Sequence, residues 1–135
     1  MEIRILKHED LSSVKAMDFL SGNHVATILL KKEREVYGAF LLGHLIAYCT
    51  IGHSADTEEI LADFPDFPKT SLSLNDVFVH PAFRGNGYAN LLIKKALENK
   101  QQTYILLNLL KKSLEKLYGK LGFISLCEYT LAKRV

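Results

Sequence analysis

At 135 residues and 15.2 kDa the chain has the length of one domain, 1–135, and can remove about two-thirds of its unfolded surface from water. Hydrophobic residues make up 48% and charged residues 24%, with eight glycines and three prolines, which excludes a disordered, collagen-like or coiled-coil chain. The net charge of +2 is too small to draw nucleic acid or an anionic membrane through bulk charge, so any anion has to be held locally.

Ile3 and Ile5 alternate with charged neighbours as in an edge strand, and His8-Glu9-Asp10 opens a helical stretch carrying Leu11, Val14 and Met17. No apolar run approaches the roughly 18 residues of a membrane span, and the charged, alternating start reads as strand rather than signal peptide, so a cytoplasmic protein is expected. After Ser21-Gly22-Asn23, the residues Val25, Ile28, Leu29 and Lys32 fit a short second helix. Val36 to Leu42 and Leu45 to Ile51 predict two antiparallel strands joined at Gly43-His44. Residues 53–70, with Pro65 and Pro68, read as a long loop holding at most two helical turns over Glu58 to Phe64.

Leu72 to Val79 returns to strand as β4, Arg84 to Gly87 makes a glycine turn, and Ala89, Leu92, Ile93, Ala96 and Leu97 repeat at helical spacing. Tyr104 to Leu110 predicts a buried β5, so the three elements form a parallel, right-handed βαβ unit. Leu110, Leu114, Leu117 and Leu121 mark one face of a further helix ended by Gly122, and two short strands with Glu128 near their turn close the chain. Cys49 and Cys127 fit no zinc or redox spacing, so both are expected as reduced core thiols and no metal is expected.

The chemistry concentrates where β4 runs through Arg84-Gly85-Asn86-Gly87-Tyr88-Ala89 into a helix. This order gathers backbone N–H groups and a positive helix terminus, an arrangement suited to phosphate. Gly85 and Gly87 allow conformations a side chain forbids, and Arg84 adds a charge-assisted contact. A tight strand-to-helix turn alone would also explain two glycines. The spacing lacks the Gly-Lys-Ser/Thr of a Walker A loop and makes a poor dinucleotide fingerprint.

Val79-His80-Pro81-Ala82-Phe83-Arg84-Gly85-Asn86-Gly87-Tyr88-Ala89 resembles the acetyl-CoA signature of the GNAT superfamily of N-acetyltransferases, with Arg84, Gly87 and Ala89 filling its Arg/Gln-x-x-Gly-x-Gly/Ala pattern. Leu117-Tyr118-Gly119-Lys120-Leu121-Gly122-Phe123 resembles the Leu-Tyr-x-Lys-Leu-Gly-Phe segment of the same family, and Val36 to Ile51 its central hairpin. The resemblance implies an α/β (α+β) fold. Its mixed, largely antiparallel sheet is flanked by helices and splayed between β4 and β5, with acetyl-CoA as cosubstrate in the splay. Main-chain groups around Phe78 and Val79 would pair with the pantetheine arm, and amides from Arg84 through Gly85, Asn86, Gly87 and Tyr88 to Ala89 would hold the pyrophosphate.

Tyr118 falls on the tyrosine that faces the thioester sulfur in the family, and Asp76 on the position where a base is sometimes found. An Asn frequent in the family is Lys111 here, and a frequent Glu-Asp pair is Asn75-Asp76. The implied reaction is direct attack of a primary amine, on a small molecule or a peptide, on the thioester. His80 and His53 could relay protons, although His80 before Pro81 also suits a loop-shaping role. The acids Asp56, Glu58, Glu59, Asp63 and Asp66 would suit a cationic acceptor. A non-catalytic acyl-CoA-binding sensor or partner module is the alternative function, and a homodimer stays open.

Overall fold

In the computed structural model, which describes residues 1–135, seven strands form one sheet in the order β1-β2-β3-β4-β5-β7-β6. β1 (Glu2–Ile5), β2 (Glu35–Leu41), β3 (His44–Gly52) and β4 (Leu72–Val79) pair antiparallel in succession. β4 then pairs parallel with β5 (Tyr104–Asn108), and β7 (Thr130–Arg134) lies antiparallel between β5 and β6 (Ile124–Ser125). Only Leu72 with Ile105 and Ser73 with Leu106 join β4 to β5, although β4 runs six residues beyond Ser73. The two strands therefore diverge, which is the splay expected between them.

Helices cover both faces. α1 (Leu11–Ser21) and α2 (Val25–Lys31) bury Val14, Met17, Val25 and Ile28 with Val36, Phe40 and Tyr48 in one cluster. Gly22 turns left-handed at φ 77° to end α1, and the Asp18 carboxylate accepts from the amides of Val25 and Ala26 to start α2. α4 (Tyr88–Leu97) packs on the other face, burying Leu92, Ile93, Ala96 and Leu97 at helical spacing among Cys49, Ile51, Leu74 and Ile105. Each fully buried Leu or Ile contributes about 1.5–3 kcal/mol. No helix is long and apolar enough to cross a membrane.

Three local expectations are corrected. Residues 53–70 are not chiefly loop, because Ala55–Asp63 forms a nine-residue helix, α3. Its start is fixed by Thr57, whose hydroxyl accepts from the Ser54 amide at 3.0 Å, and by Asp56 and Glu58 in the first turn. Leu110 is on neither β5 nor a helix. β5 stops at Asn108 and Lys111 is extended at φ −138°, so a 3-10 turn begins only at Lys112 and α5 covers Glu115–Lys120, leaving Leu110 89% exposed. Cys49 lies in the core, but Cys127 is exposed between β6 and β7.

Candidate active site

β4 changes register against β3: Thr50 faces Asn75 and Tyr48 faces Phe78, so Asp76 and Val77 stand together opposite Cys49. This is a β-bulge, and Asp76 takes the left-handed φ of 58° that accommodates the extra residue. Beyond it Val77, Phe78 and Val79 form one wall of a cleft of about 570 Å³ whose opposite wall is Leu110, Lys111, Leu114, Leu117 and Tyr118. Arg84, Gly85, Gly87, Tyr88 and Ala89 close its end, so eight of the ten expected site residues line one cavity.

The phosphate-type end rests on the main chain. None of the backbone N–H groups from Arg84 to Asn90 donates a hydrogen bond within the protein, the last three because they open α4. Gly85 and Gly87 have φ of 83° and 78°, and a Cβ on either would meet nothing within 4 Å, so both are required by backbone conformation and leave open space before the amides. Asn86 does not line the cleft. Its amide nitrogen donates to the carbonyls of Phe83 and Arg84 and braces the loop. Arg84 donates from Nε to the Val79 carbonyl at 3.0 Å and its guanidinium stands 5.2 Å from the Phe78 ring centre, which holds the cation at the cleft rim.

Tyr118 is 8% exposed and belongs to the core cluster, yet it also lines the cleft. Its hydroxyl makes no hydrogen bond within the protein. Burial, with Cys49 nearby, pushes its pKa up to about 12, so the phenol stays protonated at neutral pH. Cys49 is likewise pushed up to about 12 by complete burial, with Asp76 adding to the effect.

Asp76 lies outside the cleft lining. Its Oδ2 accepts from the Thr50 hydroxyl at 2.8 Å and lies 3.5 Å from Nη2 of Arg34. Asn75 beside it accepts from Nη1 of Arg34 at 2.9 Å and donates to Asp56 at 2.8 Å, which places one acid of α3 at the bulge. The remaining α3 acids are elsewhere: Glu58, for instance, pairs with His53 at 2.5 Å. His80 uses Nδ1 to accept from the Ala82 amide and shapes the turn at Pro81–Phe83.

Sequence reasoning missed Asn90, Phe83, Val77 and the leucine wall. Asn90 lines the cleft with a buried Oδ1 that has no donor, a place for a ligand N–H; its position in the first turn after the glycine loop was the available signal. A larger cleft of about 680 Å³ lies under the end of α2 between Ile5 and Gly52, away from the free amides.

The family model of the acetyltransferase (GNAT) domain matches residues 24–125. Among solved structures, histone acetyltransferase HPA2 and related acetyltransferase from Corynebacterium glutamicum is similar at a TM-score of 0.75 and 14% identity over 98% of this chain and 94% of that one. The Bacillus subtilis N-acetyltransferase YlbP in complex with coenzyme A gives 0.67 and 14% over 99% and 96%. The Escherichia coli GNAT family N-acetyltransferase YhbS in complex with CoA gives 0.70 and 16% over 98% and 80%. At these identities the likeness is one of fold. No curated protein matches the sequence.

Proposed function

Because the chain belongs to the acetyltransferase (GNAT) domain family, we propose that it transfers the acetyl group of acetyl-CoA directly to a primary amine. The observation that carries this reading is the row of unpartnered amides from Arg84 to Asn90 at one end of a cleft that Tyr118, its hydroxyl without a protein partner, also lines. Acetyl-CoA supplies the activated acetyl group, and the chain supplies position and charge.

The pyrophosphate lies against the amides of Gly85 to Ala89 with Arg84 at the rim, and the pantetheine arm runs along Phe78 and Val79. Because the Val79 carbonyl already accepts from Arg84, the arm either shares that carbonyl or displaces the arginine toward phosphate. At the bulge, main-chain groups released from the ladder face the thioester, where an N–H stabilises the developing oxyanion without reorganising.

As the C–N bond forms and the C–S bond breaks, the sulfur needs a hydrogen-bond donor, and Tyr118 carries one. A phenol at about 12 is a poor proton donor toward a thiolate whose acid lies near about 8.5, so Tyr118 acts mainly by hydrogen bonding to the sulfur.

The amine must lose a proton, at a cost of about 4–5 kcal/mol for an alkylammonium at pH 7. Asp76, held by Thr50 and Arg34 and outside the cleft lining, accepts that proton through water. Asp56 and Asp76 together favour a cationic acceptor approaching the bulge, whether a small amine or a peptide side chain. The protein works in the cytoplasm, and 1–135 acts as one domain.

Release of free thiol from acetyl-CoA over a panel of small amines and lysine peptides tests the proposal. Turnover with at least one amine supports it, whereas binding without turnover by any supports a non-catalytic acyl-CoA-binding module.

A further inference from the structure

Arg34 stands in the turn between α2 and β2, yet its side chain crosses β3 to reach β4. The side chain is only 10% exposed. Its two terminal nitrogens grip consecutive residues, Nη1 on Asn75 at 2.9 Å and Nη2 on Asp76 at 3.5 Å, at the point where β4 turns left-handed. Thr50 holds the same carboxylate from β3 at 2.8 Å. Asn75 extends the grip through Ser73 at 2.9 Å and Asp56 at 2.8 Å to the start of α3.

Arg34 is poorly chosen if stability alone is served. Its Nε is buried without a partner, and a buried donor left unpaired costs free energy that an apolar side chain would avoid. A non-glycine residue at φ 58° is also strained, and strain of this kind persists only where surrounding contacts over-determine it. Both costs fall at one place, the bulge that turns Val77 and its neighbours into the cleft wall.

We propose that Arg34 is a positioning residue that holds the β4 bulge in its reactive geometry, clamping Asn75 and Asp76 by two points rather than by charge alone. A lysine has one donor centre and cannot make both contacts in fixed geometry. The clamp acts on the wall beside the thioester and not on the amides of Arg84 to Asn90, so it should lower turnover more than it weakens acetyl-CoA binding.

The inference rests on the proposed acetyl transfer only for its kinetic arm. Arg34→Met should lower kcat about tenfold to a hundredfold, the effect expected of a displacement approaching 1 Å, with a much smaller rise in KM for acetyl-CoA, because the amides of residues 84–90 are untouched. Arg34→Lys should recover only part of the rate. Gly52→Ala offers a second route, because a Cβ there would stand 2.9 Å from Cγ and 3.3 Å from Cα of Arg34 and push the clamp aside with its charge intact. Hydrogen exchange read without acetyl-CoA should show faster exchange over residues 75–78 in Arg34→Met and Gly52→Ala than in the wild type.

If Arg34→Met does not fold, Gly52→Ala and Arg34→Lys carry both arms. If the wild type turns over no amine, the acetyl-transfer reading fails while the exchange arm still decides the clamp. Unchanged exchange over residues 75–78, a kcat within twofold of wild type in Arg34→Met, or full rate in Arg34→Lys would overturn it.

Discussion

The rings of Tyr118 and Phe123 meet at 77° with centroids 5.8 Å apart, joining the end of α5 to the segment that leads into β6. This contact holds the Tyr118 ring in the core while its hydroxyl remains without a protein partner in the cleft wall. Tyr118→Phe keeps the packing and deletes the proposed hydrogen bond to sulfur. We expect kcat to fall about tenfold to a hundredfold, below the upper range for a general acid, with acetyl-CoA affinity nearly unchanged and stability moved by no more than about 1 kcal/mol. Full activity toward the best amine would remove the hydroxyl from the mechanism.

The same burial has a consequence for alkaline stability. The Tyr118 pKa is raised from 10.0 to about 12, so its contribution is fully present below pH 10 and is lost as pH rises from 10 through about 12, the window in which the unfolded chain has released the proton and the folded one still holds it. Holding the phenol protonated over this range is worth about 3 kcal/mol at most. Denaturant titrations between pH 9 and 12 should show Tyr118→Phe losing less stability than wild type over this window; parallel curves would show that burial does not hold the phenol protonated.

Asp76→Asn separates proton transfer from shape. Asn can still accept from the Thr50 hydroxyl, so the bulge keeps one of its two holds on this side chain. If Asp76 receives the amine proton through water, the variant should lose rate most at neutral pH and regain it as the amine deprotonates toward pH 10. A uniform loss across the pH profile would assign Asp76 to holding the bulge alone.

Asp56 is the acid of α3 that reaches the bulge, through Asn75. Asp56→Asn should raise KM for a cationic acceptor several-fold at low salt and flatten its salt dependence, with KM for acetyl-CoA unchanged. An unchanged acceptor KM would mean that the α3 carboxylates only solvate the surface.

Much of this architecture is legible in local sequence. Alternation at Ile3 and Ile5, the Gly43-His44 turn and the Leu92, Ile93, Ala96, Leu97 repeat each select one element without tertiary help. The glycine loop is legible for the same reason, because Gly85 and Gly87 mark left-handed backbone directly. Leu110 misled because a four-residue spacing looks helical even where Lys111 is extended. The α3 start was missed because its signal is a Ser54-x-x-Thr57 cap rather than the usual Ser-x-x-Glu. The Arg34 contacts join positions 41 and 42 residues apart, and no local pattern encodes such a distance.

The central claim, that the amides of residues 84–90 receive the CoA pyrophosphate, is tested most directly by calorimetric titration of CoA into the wild type and into Gly87→Asp. A Cβ at position 87 meets nothing within 4 Å, so the variant should fold with a loss of about 1 kcal/mol for its positive φ. Its carboxylate, however, would face the phosphates at the proposed site. The wild type should bind CoA with measurable heat and Gly87→Asp should bind at least about a hundredfold more weakly. Equal affinity in the two folded proteins, or no heat from the wild type at millimolar CoA, would contradict the assignment.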